Sequence, residues 1–297
     1  MAYLLQIEKP PASECRRIVV ECLDDALAQL EKTGDARDEG IHETRKRCKE
    51  IRALLRLFRG SLGKHYRREN AAYRDIAGRL SGSRDLQAMV EVGEKLAGLH
   101  EPDVPQNERD ELLRFVRGRR DRGLRESGAV DEEMAAARRD LRQRREELAD
   151  WPEISGFPAA GLKRHYRRGR EAMEEARAEL TDEALHEWRK RAKDYRYHTK
   201  LLQKVWPKVM KSRRRELEKL TGMLGEERDL ALLASAIETE AEDSGAQAVA
   251  RTWLPRIASR REKLREAAFS LGGRIYAEKP KAMKTRIGSW WSLAGGA

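Results

Sequence analysis

The chain has 297 residues, of which 38% are charged, 39% hydrophobic and only 6% aromatic, and it carries a formal net charge of +11. That length can bury a sizeable core, as one large domain or as two halves, and the abundance of Arg, Glu, Ala, Leu and Lys favours helix throughout. The basic excess points to an acidic partner (nucleic acid, anionic lipid or a phosphate polymer), and no apolar run nears the ~20 residues of a membrane span.

In chain order, Pro10 and Pro11 precede a helix expected over 13–32, with Ile18, Cys22, Leu23, Ala26 and Leu30 on its apolar face. Gly34 and the acidic stretch to Gly40 break it, and a helix follows to Phe58. Gly60 and Gly63 make the next turn, Lys64-His-Tyr-Arg-Arg68 opens a third helix to Leu80, and Ser81-Gly-Ser83 is a turn with Ser83 as N-cap of a fourth helix to Leu99. Two charge-dense helices, 108–126 and 131–149, read as an exposed or inter-half connecting pair. Trp151-Pro-Glu-Ile-Ser-Gly-Phe-Pro-Ala-Ala-Gly161 is the strongest break. Beyond it come helices over 162–180, from Thr181 or Asp182 to Val205, to Leu224, over 227–240, and to Leu271 with a kink expected at Pro255. The tail after Gly272, with its lysines and Trp290-Trp291, has no clear periodicity; it is either mobile or docked by its tryptophans, and a membrane surface is a further candidate partner.

One stretch occurs twice. Ile41-His-Glu-Thr-Arg-Lys-Arg-Cys-Lys-Glu-Ile-Arg-Ala-Leu-Leu-Arg-Leu-Phe58 and Leu185-His-Glu-Trp-Arg-Lys-Arg-Ala-Lys-Asp-Tyr-Arg-Tyr-His-Thr-Lys-Leu-Leu202 share eight of 18 positions at an offset of 144 residues. The same offset puts Arg84-Asp-Leu86 on Arg228-Asp-Leu230. The period is too long for a solenoid and indicates two homologous halves, 1–150 and 151–275, followed by a basic tail, 276–297. At about 100° per residue, His42, Arg45, Lys46, Lys49, Arg52 and Arg56 fall in a stripe roughly 120° wide, with the apolar residues opposite. His186, Arg189, Lys190, Lys193, Arg196 and Lys200 repeat it. Like charges at i,i+4 destabilise a helix by about 0.2–0.5 kcal/mol per pair, and the acids Glu43 and Glu50 lie on the flank, so a polyanion along the stripe accounts for it better than solvent does.

The motif His-x-x-Arg-Lys-x-x-Lys-x-x-Arg, once per half, resembles the CHAD family (conserved histidine α-helical domain). So do the two Arg-Asp-Leu turns and Tyr166-Arg-Arg-Gly-Arg-Glu-Ala172. The resemblance spans about residues 8–275. It implies an all-α protein of two pseudo-symmetric helical bundles around a basic groove that binds inorganic polyphosphate, with the two stripes as binding residues. Second-tier candidates are Arg84, Arg228, Lys64, His65, Arg67, Arg68, Tyr166, Arg167, Arg168 and Arg170. Many relatives carry a CYTH triphosphatase domain marked by Glu-x-Glu-x-Lys; this sequence lacks the motif, so a standalone, non-catalytic member is expected.

Polyphosphate offers closely spaced anionic charge and no bases, which suits Arg forks, Lys point charges and a directed imidazole N–H. Nucleic acid is the alternative partner, and the stripes lack its stacking aromatics and base-reading amides, Tyr195 and Tyr197 being present only in the second copy. A phosphohydrolase or a His42 phosphotransfer protein would need paired carboxylates for a metal or a small residue after Lys46, where Arg47 stands. A helical scaffold with solvated faces is the remaining alternative. No cofactor or metal motif is found, and Cys15, Cys22 and Cys48 read as buried reduced thiols. The N-terminus lacks the pattern of a signal peptide. A cytoplasmic protein recruited to polyphosphate granules is therefore expected; the sequence leaves its oligomeric state open.

Overall fold

The computed structural model describes residues 3–99, 103–126, 130–243 and 246–295. Among these there is no strand, and the fold is all-α. The first half supplies α1 (Pro11–Gln29), α2 (Arg37–Leu57), the single turn α3 (Arg59–Leu62), α4 (His65–Arg79), α5 (Gly82–Ala97), α6 (Gln106–Glu126) and α7 (Val130–Glu146). The second supplies α8 (Ala159–Glu179), α9 (Asp182–Leu201), α10 (Pro207–Asp243), α11 (Gln247–Ile275) and α12 (Pro280–Leu293). Residues 151–158 run between them without helix.

The two motif segments are α2 and α9. Each buries its apolar face where the sequence pattern puts it: Ile41, Cys48, Ile51, Leu54 and Leu55 on α2, Leu185, Trp188, Ala192 and Tyr195 on α9. Thr181 caps α9, its hydroxyl accepting the Ala184 N–H at 3.2 Å, which satisfies one of the orphan donors of the first turn.

The offset of 144 residues runs through the whole order of elements. It maps α2 onto α9, α4 and α5 onto the two parts of α10, and α6 onto α11. The packing follows it: α2 lies against α9, α5 against α10, and α6 against α11. Each contact joins an element to its own counterpart, as a pseudo-twofold axis requires. The hydrophobic clusters cut across the halves. One gathers Val90, Leu96, Leu112 and Val116 with Leu230, Leu233, Ile237, Trp253 and Ile257, from two helices of each half. The other gathers the remaining helices, with parts of α10 and α11, around Leu23, Ile51, Leu54, Tyr166, Trp188 and Leu217.

α10, α6 and α7 differ from the sequence expectation, and the structure decides between the two alternatives left for the tail. α10 is one helix of 37 residues that runs through Gly225. A helical glycine costs only about 1 kcal/mol, and Leu224, Leu230 and Leu233 are buried on either side of it. α6 and α7 are not an exposed connecting pair: α6 buries Leu112 and Val116, and α7 packs Met134, Ala137 and Leu141 on the first-half core. The tail is a docked helix, α12, with Met283, Ile287 and Trp291 buried at i, i+4 and i+8 against α8. α11 continues through Pro255. Ser83 as N-cap, and Arg84 with Asp85, lie outside the side chains the structure describes. The three cysteines are buried and free.

Candidate functional site

Reciprocal ion pairs join the C-terminal parts of α2 and α9. Arg56 Nη1 meets Asp194 Oδ1 at 2.6 Å, and Lys200 Nζ meets Glu50 Oε1 at 3.1 Å. These are the same interaction twice, related by the pseudo-twofold. Glu50 and Asp194 are buried, with 1% and 8% side-chain exposure, so each acid needs its cation. His198 Nε2 sits 2.9 Å from the Ala53 carbonyl, and its ring meets His165 edge-on at 5.0 Å. Burial holds both imidazoles neutral, His198 lowered to about 4 and His165 to about 2, the latter helped by His198 and Arg56.

N-terminal to the crossing, the stripes become a shared basic site. Lys193 is lowered to about 7, first by burial and then by Arg189 of its own stripe and Lys49 of the other. Positive charge from both halves therefore converges at one place. Arg52 is lowered to about 10 by burial, Arg56 and Arg74, with Asp194 opposing. His186 is lowered to about 4 by burial and by Arg228, Lys190 and Arg189, and its Nδ1 is buried without a hydrogen-bond partner among the described residues.

The neighbouring helices position the cations. Arg45 Nη1 donates to the carbonyls of Leu80 and Ser81, both at 3.1 Å, tying α2 to the start of α5. Arg189 stands at the equivalent place beside Gly225, where an added methyl would lie 3.5 Å from its guanidinium. Arg52 Nε donates to Asn70 Oδ1 at 3.3 Å, and Arg196 Nη1 to Thr221 Oγ1 at 3.4 Å. On the flank, Lys46 holds Glu43 at 2.9 Å and Lys190 holds Glu187 at 2.5 Å. Arg47 bridges Asp25 and Glu50, as Arg191 bridges Glu187 and Asp194.

The structure brings part of the sequence-derived set together and redistributes the rest. His186, Arg189, Lys190 and Lys193 gather with Lys49 and Arg228 around one site. Arg45 and Arg52 stay on the α2 stripe with His42 and Lys46, Arg45 held at the Leu80 and Ser81 carbonyls and Arg52 at Asn70 with Asp194 of the other half acting on it. Arg56 and Lys200 share the stripe by angle, but their charge is taken up by the buried acids of the opposite half. Tyr166 is corrected: it is fully buried, donates to the Ile275 and Glu278 carbonyls and packs on Tyr195 and Tyr276, so it holds the α11–α12 turn and cannot touch a ligand. Lys64, His65, Arg67 and Arg68 occupy the start of α4, with Arg68 paired to Glu69 and Glu147. Arg170 pairs with Glu174, while Arg167 and Arg168 lie on the outer face of α8. Sequence reasoning missed Asn70, Arg74 and Thr221, because the duplication pairs Arg74 with Glu218 and Asn70 with Arg214 and leaves no repeated motif to find.

The CHAD domain family model matches residues 17–238, three quarters of the chain. The chain belongs to the CHAD family. Among solved structures, PptA from Streptomyces chartreusis superposes with a TM-score of 0.64 at 15% identity, over 91% of this chain and 100% of that one. The CHAD domain from the plant Ricinus communis superposes with a TM-score of 0.53 at 14% identity, over 92% and 94%. No curated protein matches the sequence. These likenesses establish the CHAD fold, in which the two motif helices are the inner pair. No described helix is long and apolar enough to cross a membrane, and no group of three or more His, Cys, Asp or Glu among the described residues is placed to hold a metal.

Proposed function

We propose that this CHAD protein binds inorganic polyphosphate without turning it over, in the groove between the α2 and α9 stripes, and that binding recruits it to polyphosphate granules in the cytoplasm. The observation that carries the reading is the convergence of Lys49, Arg189 and Lys193 from the two halves. Two lysines and an arginine drawn from both halves into a half-buried site, with Asp229 offsetting them in part, suit a ligand of dense negative charge. His42, Arg45, Lys46, Lys49, Arg52, His186, Arg189, Lys190, Lys193 and Arg196 form the contact set. Arg56 and Lys200 hold the floor together.

Nucleic acid fits less well. Tyr195, the stripe's best stacking candidate, lies in the core with 1% exposure, hydrogen-bonded to Arg213, so the groove offers phosphate contacts and little for a base. A catalytic reading has weaker support still, because Glu43 and Glu187, the acids beside the stripes, are each held by a lysine and an arginine.

Competition tests the reading. Labelled polyphosphate bound at about 150 mM salt is challenged with RNA, DNA and heparin at equal charge. Poor displacement by all three supports polyphosphate as the ligand. Equal displacement with a steep salt slope would reduce the groove to a generic basic surface.

A further inference from the structure

Outside the groove, a cluster of exposed cations lies on one face of α8. Lys163, Arg164, Arg167 and Arg168, with Ala160 and Glu171, line an open depression of about 540 Å³. Lys163 and Arg164 make no ion pair among the described residues. Arg167 meets Glu171 at 3.5 Å, with both side chains 58% exposed, a geometry worth little in water. Arg168 is lowered below the ordinary arginine range, first by burial and then by Arg191, with Arg164 adding to the repulsion. The counterpart helix in the first half has no such face: Arg16 of α1 donates to the Trp151 carbonyl, and Arg17 is held by Glu14 and Glu21. The feature belongs to the second half alone, so the duplication does not explain it.

The face adjoins the groove. Glu187 of α9 binds Lys190 of the stripe at 2.5 Å and lies 4.0 Å from Arg168. One carboxylate separates the end of the stripe from the start of the α8 cations.

We propose that the outer face of α8 is a second contact for a linear phosphate polymer, continuous with the groove, so that a long chain leaves the α9 stripe over Lys190 and runs on across Arg168, Arg164, Arg167 and Lys163. The proposal rests on the polyphosphate reading of the groove. Its consequence is chain-length selectivity. A short chain fills the groove and stops, whereas a long chain gains a tethered second contact at high effective concentration. The α8 cations give the groove a direction, because only the second half extends it.

The test compares polyphosphate no longer than the groove with long-chain polyphosphate, using the full-length protein. The triple variant Lys163→Gln, Arg164→Gln, Arg167→Gln removes exposed side chains and leaves α8 packing intact, which its thermal unfolding verifies. A control variant, Arg114→Gln, Arg251→Gln, Lys263→Gln, makes the same charge change at exposed positions elsewhere. The expected result is unchanged affinity of the α8 variant for the short chain and about a tenfold loss for the long chain, with a much smaller loss in the control. Equal losses in the two variants, or no loss for the long chain, overturn the proposal while leaving the groove reading intact. Failure of the unsubstituted protein to bind either length overturns both.

Discussion

Lys193 is where the site's chemistry is most sharply set. Its ammonium is lowered to about 7 by burial, Arg189 and Lys49, far below the ordinary lysine value of about 10.4. A bound polyanion favours the charged form and raises that value. A group whose pKa rises on binding takes up a proton, so affinity is highest below pH 7 and falls as pH rises through 7 toward the bound-state value. Polyphosphate affinity should weaken between pH 7 and 9, by at most about tenfold per pH unit. Calorimetry in buffers of different ionisation enthalpy should show proton uptake at pH 8. In a Lys193→Met variant affinity should be lower and flatter over that range, and undiminished uptake there would assign the proton elsewhere. An imidazole, with an ordinary value of about 6.5, is the side chain expected to take up a proton on binding between pH 8 and 6. His186 does not fill that role, because burial and three neighbouring cations hold it neutral down to about 4. The same repulsion strains the unliganded fold, so Lys193→Met should raise the unliganded protein's stability by about 1 kcal/mol, roughly 2 °C in Tm for a chain of this size.

At the scale of the element, α2 and α9 show what helical angle can and cannot reveal. The stripe, the apolar face and the near-identical extents of both helices were legible from 3.6-residue periodicity and the duplication. Arg56 and Lys200 were not, since the acids that claim them, Asp194 and Glu50, belong to the other copy and meet them only because the helices cross there. Removing one partner from such a buried pair leaves an uncompensated charge, at a cost of about 3 kcal/mol. Asp194→Ala should therefore lower the unfolding free energy in denaturant titration by about that amount, while Arg56→Met with Asp194→Leu lowers it less. A single substitution no worse than the double would remove the crossing pairs as the lock between halves. Gly161 tests the adjoining contact: a methyl there would sit 1.8 Å from the Leu57 carbonyl oxygen, so Gly161→Ala must push α8 off the end of α2, and thermal unfolding should report a loss of about 2 kcal/mol.

For the whole molecule, the offset of 144 residues was legible as a duplication, and the structure gives it a mechanical meaning. Counterpart helices pack on one another, and the two hydrophobic clusters each take helices from both halves. Pairing between remote helices leaves no local signal in a chain, so neither the clusters nor the merging of two expected helices into α10 could be read beforehand. α12 did leave one, Met283, Ile287 and Trp291 at four-residue spacing, which the surrounding lysines and Pro280 masked. The proposed reading makes one demand of the pseudo-twofold: both stripes serve one ligand. Titration calorimetry with medium-chain polyphosphate on the unsubstituted protein and on Lys49→Gln and Lys193→Gln variants measures this directly. A shared groove predicts a single class of site, weakened by either substitution and weakened less than additively by both. Two independent sites, each lost with its own lysine while the other keeps full affinity, would contradict it.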